Sequence, residues 1–594
     1  WHVLSSDMHS QIRPRNPSRK NVSAGAGNTL LPIMRRRIRW QWIALITALP
    51  LLVGAQDSAT EHASDSLFGL DRVIEVTLTI EPEEWAKLQP PEGLSMDVGE
   101  AFGELIGDAM KGGHMRAEGA TRPGLAGYLG VNHQYGKATF EIEGKQVSPI
   151  GLRYKGNGTF LEYKEGRIEQ RLSFKIDFNE FQEDLSFRGL GKLNLNNNIT
   201  DPSYLREALS YELFREAGIP CSRVSFARVN LRIPGLMDRQ PHGLYSVVEQ
   251  VDKRFLKHRY GSAKGLLLKP STFGSFRYLG ESWEPYEIGF VPKTTPTEAQ
   301  KERVIAFARL VSKTADEDFA AELENYLDVD QFLRFLAVNT LLCNLDSFLG
   351  NTQNHYVYLE PKSNRFQFLP WDMDHSFGSF PLKGSPESRR ALNIDHPGGR
   401  DHKLIERVLA IPEHKEHYHA ILKEYLGTLF EVEKLHRQID AAAQTVRPLV
   451  AINGPKATER FDAILADEPV WWEKHPLKYF VSERHASVSD QLSGMAEGAD
   501  LEGANLDFKA WIALFITGAV VILMHFAGWI WGMVAGFRSG PLWGFLNLCF
   551  YPICPLIYGF AIRRDLGRRA ALWAFFWTLA LVGVGLWASA MPGK

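Results

Sequence analysis

The hydrophobic pattern of this chain changes period partway along, and that change limits the architectures open to it. In the first half apolar residues alternate with polar ones. Val73–Ile80, Ala138–Ile142, Ile150–Tyr154, Leu172–Phe178, Val224–Leu231 and Gly243–Val248 each read as a strand, with a Pro234-Gly235 turn between the last two. After about residue 297 the apolar positions recur at helical spacing, over Thr297–Lys313, Glu317–Tyr326, Val329–Asn344 and a series from Asp401 to about Asn453. Strands first and helices second predict an α+β domain of two lobes, joined near Glu249–Phe255. A short helix at Glu83–Leu88 and a longer one at Tyr204–Ala217 interrupt the β-rich half. The second is opened by Asp201-Pro202-Ser203 and stopped by Gly218. Residues 90–130, with Pro90-Pro91 and Gly112-Gly113, read as an irregular insertion.

At 594 residues the chain exceeds what one core holds, and its 45% hydrophobic content is concentrated at the two ends. Near the start, Arg35-Arg36-Arg37-Ile38-Arg39, the apolar run Trp42–Val53 and Gly54-Ala55 have the order of a secretory signal or anchor. Translation is therefore expected to start at Met34, with residues 1–55 an upstream segment plus signal, 56–70 a linker and 71–500 the folded domain. Near the end, Trp511–Phe537, Pro541–Ile562 and Ala570–Ala590 predict a membrane module over 511–590 of two or three apolar segments. Arg563, Arg564, Arg568 and Arg569 favour a re-entrant second segment, with the folded domain outside the cytoplasm. A formal charge of -2 without a basic stripe excludes a nucleic-acid partner. Of the four cysteines, only Cys221 and Cys343 fall in the soluble part. They read as buried small hydrophobes, with a single bridge as the alternative.

The stretch from Cys343 to Gly378 carries the chemistry. A helix ends into a loop bearing Asp346 and Asn351, and a hairpin follows, made of Val357–Leu359, the turn Pro361–Asn364 and Phe366–Leu369. That hairpin returns the chain to Asp372-Met-Asp374-His-Ser-Phe-Gly, beside Asp346. One Asp to accept a hydroxyl proton, with Asn and Asp oxygens to hold a hard divalent cation, is the set that phosphoryl transfer to a hydroxyl requires. Separately, each of these residues reads as a turn former or a loop cap. The β-rich half offers complementary parts. Lys155-Gly156-Asn157-Gly158 is a Gly-rich turn able to bring backbone N–H groups to phosphates, and it lacks the Walker pattern. Lys175 lies on the next strand, with Glu207 or Glu212 on the following helix as its acidic partner, and Glu249 sits where the lobes join.

These residues resemble the CotH family of atypical, protein-kinase-like proteins. The resemblance runs over roughly residues 70–460. It rests on Arg153-Tyr-Lys-Gly-Asn-Gly-Thr, Phe174-Lys175, Lys192-Leu-Asn-Leu-Asn, Gly243-Leu-Tyr-Ser-Val-Val-Glu249, Gly350-Asn351 with Asn354-His355-Tyr, and Pro370-Trp-Asp-Met-Asp-His-Ser-Phe-Gly. It implies a kinase-like fold, ATP with Mg²⁺ or Mn²⁺, and transfer of the γ-phosphoryl group to serine or threonine hydroxyls of proteins. It also implies Asp346 as the catalytic aspartate, Asp372 and Asn351 as metal ligands with Asp374 beside them, and Lys175 as the ATP lysine. The terminal module resembles those of bacterial inner-membrane proteins, so a membrane-anchored envelope protein is expected. Two other functions compete: a kinase-like binding or scaffold protein without turnover, and a metal-dependent hydrolase using Asp346, Asp372, Asp374, His355 and His375.

Overall fold

In the β-rich half, seven strands close on themselves. Gly69–Ile80 (β1), Gly136–Ile142 (β2), Lys145–Tyr154 (β3), Phe174–Asp177 (β4), Lys192–Asn196 (β5), Val224–Ile233 (β6) and Met237–Glu249 (β7) form a barrel in the order β1-β2-β3-β4-β5-β7-β6. Every neighbouring pair is antiparallel except β1 with β6, which runs parallel. The computed structural model describes residues 63–501, apart from 91, 111–115, 157–159, 161–162, 165–169, 272–275, 351, 471–472 and 474, and also most of 517–549. Alternation sets the two faces of the barrel wall. Leu78, Phe140, Leu152, Phe174, Ile176, Leu193 and Leu195 fill the interior, each at most 2% exposed. The intervening residues Arg153, Lys175, Asn194 and Asn196 stand on the outer face. Lys175 lies in register with Arg153 on one side and Asn194 on the other.

The strand periods read correctly, and closure into a barrel is the new feature. It depends on β5 and on the pairing of β1 with β6, neither of which a local pattern specifies. The segment at 90–130 is also more ordered than expected. Val98–Met110 is a helix, and the short turn Leu125–Tyr128 is wholly buried against the barrel core. The helix predicted from Tyr204 begins at Arg206 and runs to Glu216 (α1). Tyr204 itself takes a positive φ of 60°, and the Asp201 carboxylate accepts from the Arg206 N–H at 2.9 Å, which fixes the start.

The second half packs a four-stranded antiparallel sheet among helices. Leu266–Pro270 (β8), Phe290–Pro292 (β9), His355–Glu360 (β10) and Arg365–Pro370 (β11) lie in the order β11-β10-β8-β9. The predicted hairpin is β10–β11, while β8 and β9 were not foreseen. Around it stand Glu298–Lys313 (α2), Asp316–Tyr326 (α3), Val329–Leu342 (α4), Pro412–Leu426 (α5), Val432–Val450 (α6) and Leu477–Leu492 (α7). Thr297 closes a capping box at the start of α2, as its hydroxyl and the Gln300 side chain each satisfy the other's backbone N–H. Cys221 and Cys343 are free thiols, both buried.

The expected transmembrane module finds no support. No helix among the described residues is long and apolar enough to cross a membrane. The described helix Pro541–Cys549 runs up to the last of the described residues. The signal or anchor around Trp42–Val53, and the apolar segments from residue 550 onward, lie outside the described residues.

Candidate active site

The loop that bears Asp346 is built to a fixed shape. Helix α4 ends at Cys343 in the left-handed conformation (φ 44°), and the Cys343 and Asn344 N–H groups return to the carbonyls of Thr340 and Asn339. Ser347 then ties the loop to the helix, its hydroxyl bonding to the Asn339 side chain at 3.1 Å and to the Asn344 carbonyl at 2.7 Å. Gly350 passes so close to Leu345 that a Cβ there would lie 1.9 Å from the Leu345 carbonyl oxygen. Asp346 stands half-buried on this loop. The Asn354 side-chain amide donates both to its carbonyl, at 2.7 Å, and to its Oδ2, at 3.1 Å. Spacing had pointed to Asn351 as the second polar residue. That residue lies outside the described residues, and Asn354 is a partner of Asp346 within them.

The hairpin delivers the second half of the site, and each residue of Asp372-Met-Asp-His-Ser-Phe-Gly has a distinct task. Met373 and Phe377 are fully buried anchors. Ser376 bonds to Ser210 of α1 at 2.6 Å. Gly378, at φ 63°, donates to the Leu342 carbonyl, and a Cβ on it would lie 2.5 Å from the Phe480 ring. These fastenings leave Asp372, Asp374 and His375 half-buried at the surface of the cleft. The Asp372 N–H donates to the Tyr211 hydroxyl at 3.2 Å, and Thr200 donates to Asp374 Oδ2 at 2.6 Å.

Asp346, Asp374 and His375 each offer one ligand atom, all within 4.8 Å of one another. The His375 Nδ1 is buried without a hydrogen-bond partner among the described residues. Two carboxylates and an imidazole with a spare nitrogen suit a divalent cation such as Mg²⁺ or Mn²⁺. Asp372, expected as a metal ligand, is not in this trio. Burial raises the pKa of Asp374 and of Glu207, and the Asp372 charge adds to both.

A relay of three residues joins Lys155, just after β3, Asn196 on β5 and Glu207 on α1. Lys155 Nζ donates to Asn196 Oδ1 at 2.5 Å, and Asn196 Nδ2 donates to the Glu207 carboxylate at 3.0 and 2.8 Å. Burial pushes the Glu207 carboxyl up to about 8, and the charges of Asp372 and Asp374 add to this. Such a group lies beside a surplus of negative charge, which a bound cation would relieve. Glu212, the other candidate, pairs instead with Arg215 along the helix. Lys175, taken as the ATP lysine, forms no ion pair with Glu207 among the described residues, and Lys155 makes that link through Asn196. Burial and the charges of Arg153, Lys192 and Lys155 hold the Lys175 amine well below its usual pKa. Gly156, at φ 86°, opens the Gly-rich turn, and its carbonyl is contacted by the His133 ring at 3.2 Å. Asn157 and Gly158 lie outside the described residues.

Two expected residues prove structural. Glu249 is 3% exposed and clamped by Arg223, through bonds of 2.6 and 3.0 Å, and by Arg259 at 3.1 Å. With its oxygens so committed, it has no part in the cleft. His355 is 1% exposed, stacked on Phe368 and edge-on to Phe348, and burial holds its pKa down to about 4. It is a core histidine, which removes one of the two imidazoles that the hydrolase reading needed. The sequence reading missed Lys269 on β8. Its Nζ lies 5.4 Å from the Trp371 ring centroid and 5.7 Å from that of Tyr356. A lone charge in the apolar strand Leu-Leu-Leu-Lys-Pro was the signal that marked it.

Residues 152–488, more than half of the chain, match the family described as CotH kinase protein. The barrel's first two strands and the segment at 90–130 precede the match. The chain is 27% identical to the inner spore coat protein H of Bacillus subtilis (strain 168), over 55% of this chain and 84% of that protein. It is 23% identical to an inner spore coat protein H-like protein of the same organism, over 50% of this chain and 75% of that protein. To the invasin CotH3 of Rhizopus delemar (strain RA 99-880 / ATCC MYA-4621 / FGSC 9543 / NRRL 43880) it is 20% identical, over 42% of each. The chain belongs to the CotH kinase protein family.

Proposed function

We propose that this chain is an atypical protein kinase, transferring the γ-phosphoryl group of ATP to serine or threonine hydroxyls of proteins at a cell envelope or surface. The observation that carries the reading is the meeting of Asp346, aimed by Asn354, with Asp374 and His375, opposite the Lys155–Asn196–Glu207 relay. In this reading Asp346 accepts the proton of the attacking hydroxyl, and Asn354 keeps its carboxylate turned toward that hydroxyl. Lys155 draws the phosphates to the barrel wall. A divalent cation held by Asp346, Asp374 and His375 would supply charge neutralisation for the transferred group. The kinase-like arrangement of the two halves is part of this proposal. So is the surface location, which takes its support from relatives named as spore coat proteins and an invasin.

The test is direct. Purified full-length chain is incubated with γ-labelled ATP and Mg²⁺ or Mn²⁺, alone and with casein as a generic acceptor. Label on protein that disappears in Asp346→Ala and Asp374→Ala upholds the kinase. ATP binding without transfer points to a scaffold, and absence of both overturns the nucleotide reading.

A further inference from the structure

The Asp346 loop is gripped from outside as well as from within. Lys383, half-buried, donates its Nζ to the Gly350 carbonyl at 2.7 Å. His402, 8% exposed, bonds through Nε2 to the Phe348 carbonyl at 3.1 Å. Its Nδ1 accepts from the Ile405 N–H at 3.4 Å, so Nε2 carries the hydrogen and donates it. Both carbonyls lie just beyond Asp346 on the same loop, and the two side chains stand at the ends of one stretch, 383–402. That stretch is fastened in turn by the chain that follows α7, beyond the matched region of 152–488. After α7 the backbone turns at Gly494 (φ 73°), and the Met495 N–H reaches back to the Asp490 carbonyl at 2.9 Å. Ala499 then donates to the Ala391 carbonyl at 2.6 Å and accepts from the Asn393 N–H at 3.0 Å, a parallel bridge centred on Leu392. Asp500 accepts from the Arg400 guanidinium at 2.9 and 2.7 Å and from the Asn393 side chain at 2.7 Å. Two glycines mark the closest approaches. A Cβ on Gly498 would lie 2.3 Å from Asn393 Cα, and one on Gly384, next to Lys383, would lie 2.7 Å from Leu501 Cδ2. A backbone bridge, a two-bond ion pair and close-packed glycines at one junction make a fixed seat.

We propose that residues 495–501 form a strap that positions the Asp346 loop. Seated on 384–400, the strap keeps Lys383 and His402 in reach of the Gly350 and Phe348 carbonyls, and these two donors fix the loop. Lys383, His402 and the strap are positioning groups, acting on the chemistry only through Asp346. The inference deepens the kinase reading by naming what holds Asp346 in place, and it rests on that reading only for the effect on transfer.

Two readouts on the full chain keep the strap and the kinase apart. One is hydrogen exchange of the amides of residues 344–350, and the other is single-turnover transfer beside equilibrium ATP binding. The variants are Lys383→Met, Lys383→Arg and the strap double variant Asp500→Ala with Leu501→Ala. Lys383→Met and the strap variant are expected to speed exchange of the loop amides about tenfold or more, with strands β2 and β3 unchanged. Transfer should slow about tenfold or more with ATP affinity retained, and Lys383→Arg should recover part of both effects. Unchanged loop exchange in Lys383→Met or in the strap variant overturns the proposal. So does faster exchange spread evenly over barrel and loop, which marks a loss of global stability, or faster loop exchange with transfer at the wild-type rate. Faster exchange confined to the loop, in a protein whose wild type transfers no label, upholds the strap and counts against the kinase.

Discussion

Asn354 donates its side-chain amide to both the backbone carbonyl and the carboxylate of Asp346, at 2.7 and 3.1 Å. Two bonds from one amide fix the carboxylate's rotation as well as its position. Asn354→Ala should therefore lower phosphoryl transfer about 10–100-fold while ATP affinity stays close to wild type. Asp346→Asn should reduce transfer to background. Single-turnover kinetics beside equilibrium ATP binding checks this, and an Asn354→Ala chain with full turnover would remove Asn354 from the mechanism.

Gly350 is the position where the Asp346 loop tolerates no side chain, since a Cβ would sit 1.9 Å from the Leu345 carbonyl oxygen. Gly350→Ala is expected to cost about 1–3 kcal/mol of stability and to weaken transfer as well, because relief requires the loop to move. Denaturant unfolding with a parallel activity assay checks both effects.

The buried histidines make the fold acid-sensitive. His355 and His402 are each held at about 4 by burial, against about 6.5 for a free imidazole. As pH falls below about 6.5 the unfolded chain takes up protons that the folded chain refuses. Stability is therefore full above that pH and is lost progressively down to about pH 4, by up to about 3 kcal/mol per histidine. Melting temperatures from pH 7 to 4.5 should show the decline, and His355→Phe should reduce its slope.

Glu207 works in the opposite direction. Its carboxyl is raised to about 8, so without metal the folded chain holds a proton that the unfolded chain releases near pH 4.5. Stability of the metal-free chain therefore falls as pH rises through that window, by a few kcal/mol at most. Glu207→Gln should flatten the alkaline side of the profile. Mg²⁺ or Mn²⁺ should restore stability to the wild type above pH 8, as read by thermal melts with and without chelator.

How far the site was legible depended on whether its parts lay close together in the chain. Asp346, Asp374 and His375 fall within one helix–loop–hairpin unit, so turn chemistry and strand alternation were enough to bring them together. Asp372, two residues before Asp374, stands outside the trio of ligand atoms, and its backbone N–H is bonded to the Tyr211 hydroxyl. Lys155, Asn196 and Glu207 come from three elements around a closed barrel. Lys175, on the neighbouring strand, has the same local pattern as a phosphate lysine but forms no ion pair with Glu207 among the described residues. Glu249 is singled out by its position where the two halves join, and the fold explains it by two arginines, Arg223 and Arg259.

The amino-acid sequence alone determined the change of period, the α+β class, the β10–β11 hairpin and the Asp-bearing loop, because these depend on contacts a few residues apart and on the intrinsic geometry of turns. Barrel closure, the contact of Asn354 with Asp346, the link from Lys155 through Asn196 to Glu207, and the burial of His355 were decided only by tertiary structure. Those outcomes turn on which distant surfaces pack together, and so on which polar atoms lose water and must find a partner.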